Sequence, residues 1–208
     1  MAIKNYDELN SLELDALREI GSMGTGNAAT SLSQMLGRTV NITRPEVRIM
    51  EYTEAIEWIG GPEEITAGVL VKLSGHLTGI MLSVQPLEFV NIVLESMMGM
   101  TVEEYSQLTE MEHSALVEVG NIMISSFINA LSGLANMEVN LTVPAFTVDM
   151  QGAILAVPMA EYGGQSDYIM TIGGNFVTEN KQVPCRLLMS PDVRSLNALL
   201  RRLGVSDG

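Results

Sequence analysis

Two side chains of complementary chemistry stand one helical turn apart in the run Ser114-Ala115-Leu116-Val117-Glu118-Val119-Gly120-Asn121. The Glu118 carboxylate can engage a cation, and the Asn121 carboxamide offers an acceptor and a donor in one plane. On a helix advancing about 100° per residue, Ser114, Glu118 and Asn121 fall within one narrow stripe. Leu116, Val119, Ile122 and Met123 interleave on other faces with the recurrence of a core-facing pattern. A polar strip of this kind commonly does no more than solvate an exposed helix face.

The same pattern occurs earlier, as Asp15-Ala16-Leu17-Arg18-Glu19-Ile20-Gly21-Ser22. A constant offset of 99 carries Asp15 to Ser114, Leu17 to Leu116, Glu19 to Glu118, Gly21 to Gly120, Val40 to Val139 and Pro45 to Pro144. An unbroken offset over about thirty residues marks a duplicated unit, which weakens the purely solvating reading. The copies differ at one position of consequence: Ser22 stands where the later copy has Asn121. A hydroxyl is shorter than a carboxamide and cannot present oxygen and NH2 together, so weak or absent chemistry is expected at Glu19 and Ser22. Asn27 is the alternative amide there, its direction set by how the chain passes the intervening glycines.

The elements that must position these stripes follow in order. Asn10-Ser-Leu-Glu13 and Thr109-Glu-Met-Glu112 read as helix starts, the second as a capping box. Gly21, Gly24 and Gly26 either bend the first helix or admit another backbone. A phosphate cradle is disfavoured, because the spacing is neither Gly-x-Gly-x-x-Gly nor a P-loop and what precedes it reads as helix. Helical spacing resumes over 28–36 and ends at Gly37. Residues 39–50 alternate like a strand, with Pro45 marking an edge or bend. The stretch 51–64 reads as a connection whose Trp58 covers a core edge rather than a ligand. Residues 65–73 and 77–84 pair around 74–76, and Pro86 opens a helix over 87–98 that stops at Gly99.

The second half repeats this order: a helix over 110–131, a strand over 138–148, an extended continuation over 153–158, and paired strands at 167–177 and 183–189. Pro191 is expected to open the last helix, before Gly204. Pro86 and Pro191, like Gly99 and Gly204, lie 105 apart, so the second half has gained residues in its loops. No disordered linker separates the halves. The expectation is one α+β domain over 1–208, with repeats of about 7–100 and 106–205 joined in a shared sheet.

Composition narrows the function. The 208 residues are 47% hydrophobic and 17% charged, with a net charge of -14, and the mean hydropathy is +0.24. This suits a well-buried globule and argues against gripping nucleic acid or an anionic membrane. A lysine-bearing partner would be attracted instead. The fifteen Met residues read as adaptable core filler. Neither a membrane span nor a secretory leader is expected, and the single Cys185 forms no internal disulfide. His76 and His113 stand alone, with no metal-site spacing. A cytoplasmic protein without a structural metal is expected.

The doubled pattern Asp/Ser-x3-Glu-x2-Asn-x22-Pro resembles the CheC family of chemotaxis phosphatases, related to CheX and FliY. Ser114, Glu118, Asn121 and Pro144 fit it completely. Asp15, Glu19 and Pro45 fit the first copy, and Ser22 departs from it. The run Glu19 to Thr30 also resembles the family's glycine-containing first helix. The resemblance spans nearly the whole chain, and CheC is the closer match, since CheX-like chains are shorter and FliY-like chains carry flanking domains.

This resemblance implies a CheC-like α+β fold: two pseudo-two-fold-related α-β-β-β-α halves sharing one mainly antiparallel sheet flanked by helices. It implies hydrolysis of the aspartyl phosphate on the response regulator CheY by a monomer with no cofactor of its own, magnesium being carried by the regulator. Asn121 would orient the attacking water and Glu118 would pair with the regulator's lysine. Glu19 and Ser22 form the degenerate second site, and Asp15, Ser114, Pro45 and Pro144 support local structure. The resemblance also implies an alternative, an adaptor that binds the deamidase CheD through the region Phe146 to Ala153, with Asp149 as the nominated contact.

Overall fold

The described residues, 3–162, 166–178 and 181–206 of a computed structural model, pass through the same series of elements twice. After a 3-10 turn at Tyr6–Glu8 come α1 (Ser11–Leu36), β1 (Asn41–Ile42), β2 (Glu46–Glu51), α2 (Tyr52–Ile59), β3 (Ile65–Gly75), β4 (Gly79–Gln85) and α3 (Leu87–Met98). A second 3-10 turn at Tyr105–Gln107 precedes α4 (Glu110–Ala135), β5 (Val139–Leu141), β6 (Ala145–Met150), α5 (Gln151–Tyr162), β7 (Tyr168–Val177), β8 (Gln182–Pro191) and α6 (Val193–Arg202).

The fold is α+β, as the sequence implies. The sheet runs β1-β7-β8-β4-β3-β5, with β2 also on β7 and β6 also on β3. All these pairings are antiparallel. The halves are exchanged at the edges: β2 lies along β7 of the later half, and β6 along β3 of the earlier one. At the centre β4 meets β8, with Met81 opposite Met189. Both faces of this centre are covered, so every residue of β4 is buried, and Ile80, Met81 and Leu82 follow one another without alternation.

Both long helices start at capping boxes. Asn10 accepts from the Leu12 and Glu13 amides while Glu13 takes the Asn10 N–H, and Thr109 and Glu112 make the same reciprocal pair. The glycines of α1 do not interrupt it. Gly24 is required by its neighbour, since a Cβ there would sit 2.7 Å from the Phe127 Cα of α4, so of the two expected roles close approach is the one observed. A Cβ on Gly26 would meet nothing within 4 Å, and nothing in the structure explains a glycine there. Helices α1, α4, α3 and α6 cover one sheet face around Leu17, Leu32, Val69, Met81, Phe127 and Leu196. Among the described helices α4 alone is long and apolar enough to cross a membrane, and 61% of that stretch is buried inside the fold.

Each half holds one helix more than expected. The connection at 51–64 contains α2, and the stretch 153–158, read as extended, lies inside α5. These two helices pack on the other sheet face, where Tyr52, Ala55, Ile154 and Leu155 meet Leu82, Val84, Ile169 and Leu188. Pro191 ends β8 rather than opening α6; Asp192 caps that helix by accepting from Ser195 N.

Candidate functional site

The stripe on α4 faces away from the core. Glu118 is exposed and Asn121 half-buried, and among the described residues neither side chain has a hydrogen-bond partner. Behind them the helix is held tightly. A Cβ on Gly120 would lie 2.6 Å from Val69 Cβ and 3.0 Å from Gln85 Nε2, so only glycine allows this approach to β3. The buried Gln85 donates from Nε2 to the Leu116 carbonyl at 3.0 Å, and Tyr105 Oη donates to the Gln85 carbonyl at 2.9 Å. Burial pushes the Tyr105 phenol up to about 12. Ser114 turns inward to its own helix, its hydroxyl donating to the Glu110 carbonyl at 2.8 Å. Pro144 is half-buried ahead of β6.

The stripe on α1 has the same placement with different contents. Glu19 is exposed and Ser22 half-buried. Asp15 is taken by Arg18 at 2.7 Å, a cation in the place where α4 has Val117. Thr25 Oγ1 donates to the Gly21 and Ser22 carbonyls at 2.9 and 3.1 Å. A Cβ on Gly21 would meet Val47 Cγ2 at 3.2 Å and the buried Pro45 at 3.3 Å, a looser seat than that of Gly120. Because α1 runs unbroken through the glycines, Asn27 points about 140° around the helix from Ser22 and does not replace it.

Other candidates fall away from the stripes. Asp149 is exposed at the end of β6, and its Oδ1 accepts from Met150 N at 2.7 Å. Trp58 is half-buried over Gly173, whose missing side chain makes room for the indole, with the Arg186 guanidinium 4.3 Å above its ring. Cys185 is buried, and burial pushes its thiol up to about 12. Among the described residues no group of three or more His, Cys, Asp or Glu could hold a metal ion. The sequence reading missed an open groove beside the N-terminal part of α4, about 860 Å³ in volume and reaching from Glu64 and Glu104 to Phe146.

The model of the CheC-like family matches residues 12–49 and 111–148, the two helix-and-strand copies that carry the stripes. In both copies the chain is similar to the CheC-like family. Asp15, Glu19, Ser22 and Pro45 lie in the first matched region, and Ser114, Glu118, Asn121 and Pro144 in the second. CheY-P phosphatase CheC of Bacillus subtilis is 26% identical over 205 residues, spanning 97% of this chain and 98% of that protein. The structure of Thermotoga maritima FliY covers 95% of this chain and 98% of its own, at 24% identity and a TM-score of 0.75. A chain of the CheX-CheY-BeF3-Mg complex from Borrelia burgdorferi covers 81% of this chain and 96% of its own, at 17% identity and a TM-score of 0.52. Both structures share the fold.

Proposed function

We propose that this protein hydrolyses the aspartyl phosphate of a CheY-like response regulator. The observation that carries the reading is the Glu118 and Asn121 pair, unengaged among the described residues, on the outer face of a helix that Gly120 seats closely against β3. The similarity to a CheY-P phosphatase over nearly the full length of both chains supports it.

The phosphorylated regulator brings its own magnesium and lysine, so what remains for a phosphatase is to place a water in line with phosphorus. The Asn121 carboxamide oxygen accepts from that water while its NH2 donates to a neighbouring oxygen. Glu118, one turn away, pairs with the regulator's lysine and sets the register. The water oxygen bonds to phosphorus, the P–O bond to the aspartyl carboxylate breaks, and the carboxylate and inorganic phosphate separate. Glu19 docks a regulator without hydrolysis, because Ser22 supplies no amide.

The test is release of phosphate from the phosphorylated regulator. With Asn121→Ala, turnover falls by about 100-fold or more, the scale expected when one positioned hydrogen-bonding group is removed. Near-normal turnover by this variant would sink the assignment.

A second reading, an adaptor that binds CheD, draws on the face between β6 and α5. A hollow of about 270 Å³ there is lined by Asp149, Ala153 and Val157, with Met150, Val157 and Met159 exposed nearby. Capture of CheD that is lost with Asp149→Lys, in a protein that releases no phosphate, would favour it.

A further inference from the structure

The groove missed by the sequence reading lies between α4, the turn at Tyr105–Gln107 and the edge strand β6. Its floor is apolar, with Leu87, Leu108, Phe146 and Val148, and His113 of α4 packs on Phe146 at 4.9 Å between ring centroids. Its rim carries Glu64, Glu103 and Glu104, all exposed, and among the described residues no Lys or Arg lines it.

The corresponding place in the first half is shut. The turn at Tyr6–Glu8 packs against β2 and β7, leaving Tyr6 only 1% exposed, while its counterpart Tyr105 is half-buried. Val47, also 1% exposed, replaces Phe146, and Ser166 Oγ donates to Asn5 Oδ1 at 2.6 Å across the closed side. The positions matching Glu103, Glu104 and Thr147 are Lys4, Asn5 and Arg48, while Asp7 and Glu8 match Ser106 and Gln107. Among the described residues the groove is therefore open beside the half that carries Glu118 and Asn121, and its own rim is acidic.

We propose that this groove seats a basic segment bearing an apolar side chain, supplied by the same regulator whose phosphoryl group reaches Asn121. The inference rests on the phosphatase reading and deepens it: the groove is a second contact that selects substrate regulators by charge. Its carboxylates complement Lys or Arg, and its apolar floor takes the stem or a neighbouring hydrophobic residue. His113 lies about 7.5 Å along the helix axis from Glu118 and about 12 Å from Asn121, and about 140° and 80° around the helix from them, so one partner reaches both by wrapping over the flank of α4. A stable interface covers about 800 Å² per partner.

The experiment compares the full-length protein with a Glu64→Lys, Glu103→Lys, Glu104→Lys variant on a phosphorylated CheY-like regulator. All three changes are on the surface, so the thermal melt serves as the control for folding. The inference expects KM to rise about tenfold or more at low ionic strength with kcat within twofold, the difference shrinking as salt is added. The matching triple Gln variant shifts KM the same way by less. An unchanged KM, or a fall confined to kcat, overturns the groove and leaves the hydrolytic reading standing. Should the wild type release no phosphate, that reading fails by itself. Binding of the BeF3-loaded regulator then decides the groove: equal affinity for wild type and variant overturns it, and weakening of about tenfold upholds it.

Discussion

The two long helices begin alike and finish differently. Each starts at a reciprocal cap, each presses a glycine toward the sheet, and each is preceded by a tyrosine that donates to a strand-end carbonyl, Tyr6 to Pro191 and Tyr105 to Gln85. The later half then sets on α4 an amide and a glutamate without partners among the described residues, and opens an acidic groove at the flank of that helix. The earlier half sets a serine, an Asp15–Arg18 ion pair and a closed surface. Symmetry is kept where the fold needs it and lost at the exposed stripes, so on the proposed reading activity would follow the side chains rather than the scaffold.

The seating of the helices gives the largest expected difference in stability. Gly120→Ala forces a Cβ against Val69 on a helix that Gln85 ties down, and the overpacking exceeds the gain in helix propensity, for a net loss of about 1–2 kcal/mol. Gly21→Ala meets only side-chain ends at 3.2 and 3.3 Å and changes stability by less than about 0.5 kcal/mol, because propensity offsets the crowding. Urea titrations of the two variants check this; equal losses would mean the helices are seated alike.

The caps give a smaller effect and no asymmetry. Asn10→Ala and Thr109→Ala each cost about 1 kcal/mol, measured the same way. One cap has a pH signature. The Thr109 hydroxyl and then its amide hold the Glu112 carboxyl below the usual carboxylate range. The stability this contributes is complete above the unfolded-state value and is lost as pH falls through the lowered folded value. The gap between wild type and Glu112→Gln therefore narrows in acid melts below about pH 4. A gap that stays constant down to strong acid would show that the carboxylate charge is not what caps α4.

The stripes and caps were legible in the sequence because polar spacing, capping residues and the offset of 99 report directly on local geometry, whereas the stretches 39–50 and 138–148, each read as one strand, are each split in two ahead of Glu46 and Ala145. The helices α2 and α5 were not legible. Tyr52, Ala55 and Ile56 span too few turns to establish a period. In α5, Ile154, Leu155, Val157 and Met159 leave no polar face, and Pro158 argues against a helix. The burial of Ile154 and Leu155 on the sheet overrides both signals. The function of Gly24 was legible only as a choice between bending and close approach, which the packing of Phe127 decides. The groove was invisible for a different reason: Tyr6 and Tyr105 are the same residue at the same place in each repeat, and only tertiary packing makes one buried and the other partly open.

The most direct measurement swaps the one position that separates the stripes. Phosphate release from a phosphorylated CheY-like regulator is followed with Asn121→Ser, which turns the later stripe into a copy of the earlier one, beside Ser22→Asn. The account predicts a loss of about 100-fold or more for Asn121→Ser with an unchanged melt, and equal or greater turnover for Ser22→Asn. Turnover near the wild-type rate by Asn121→Ser would contradict it.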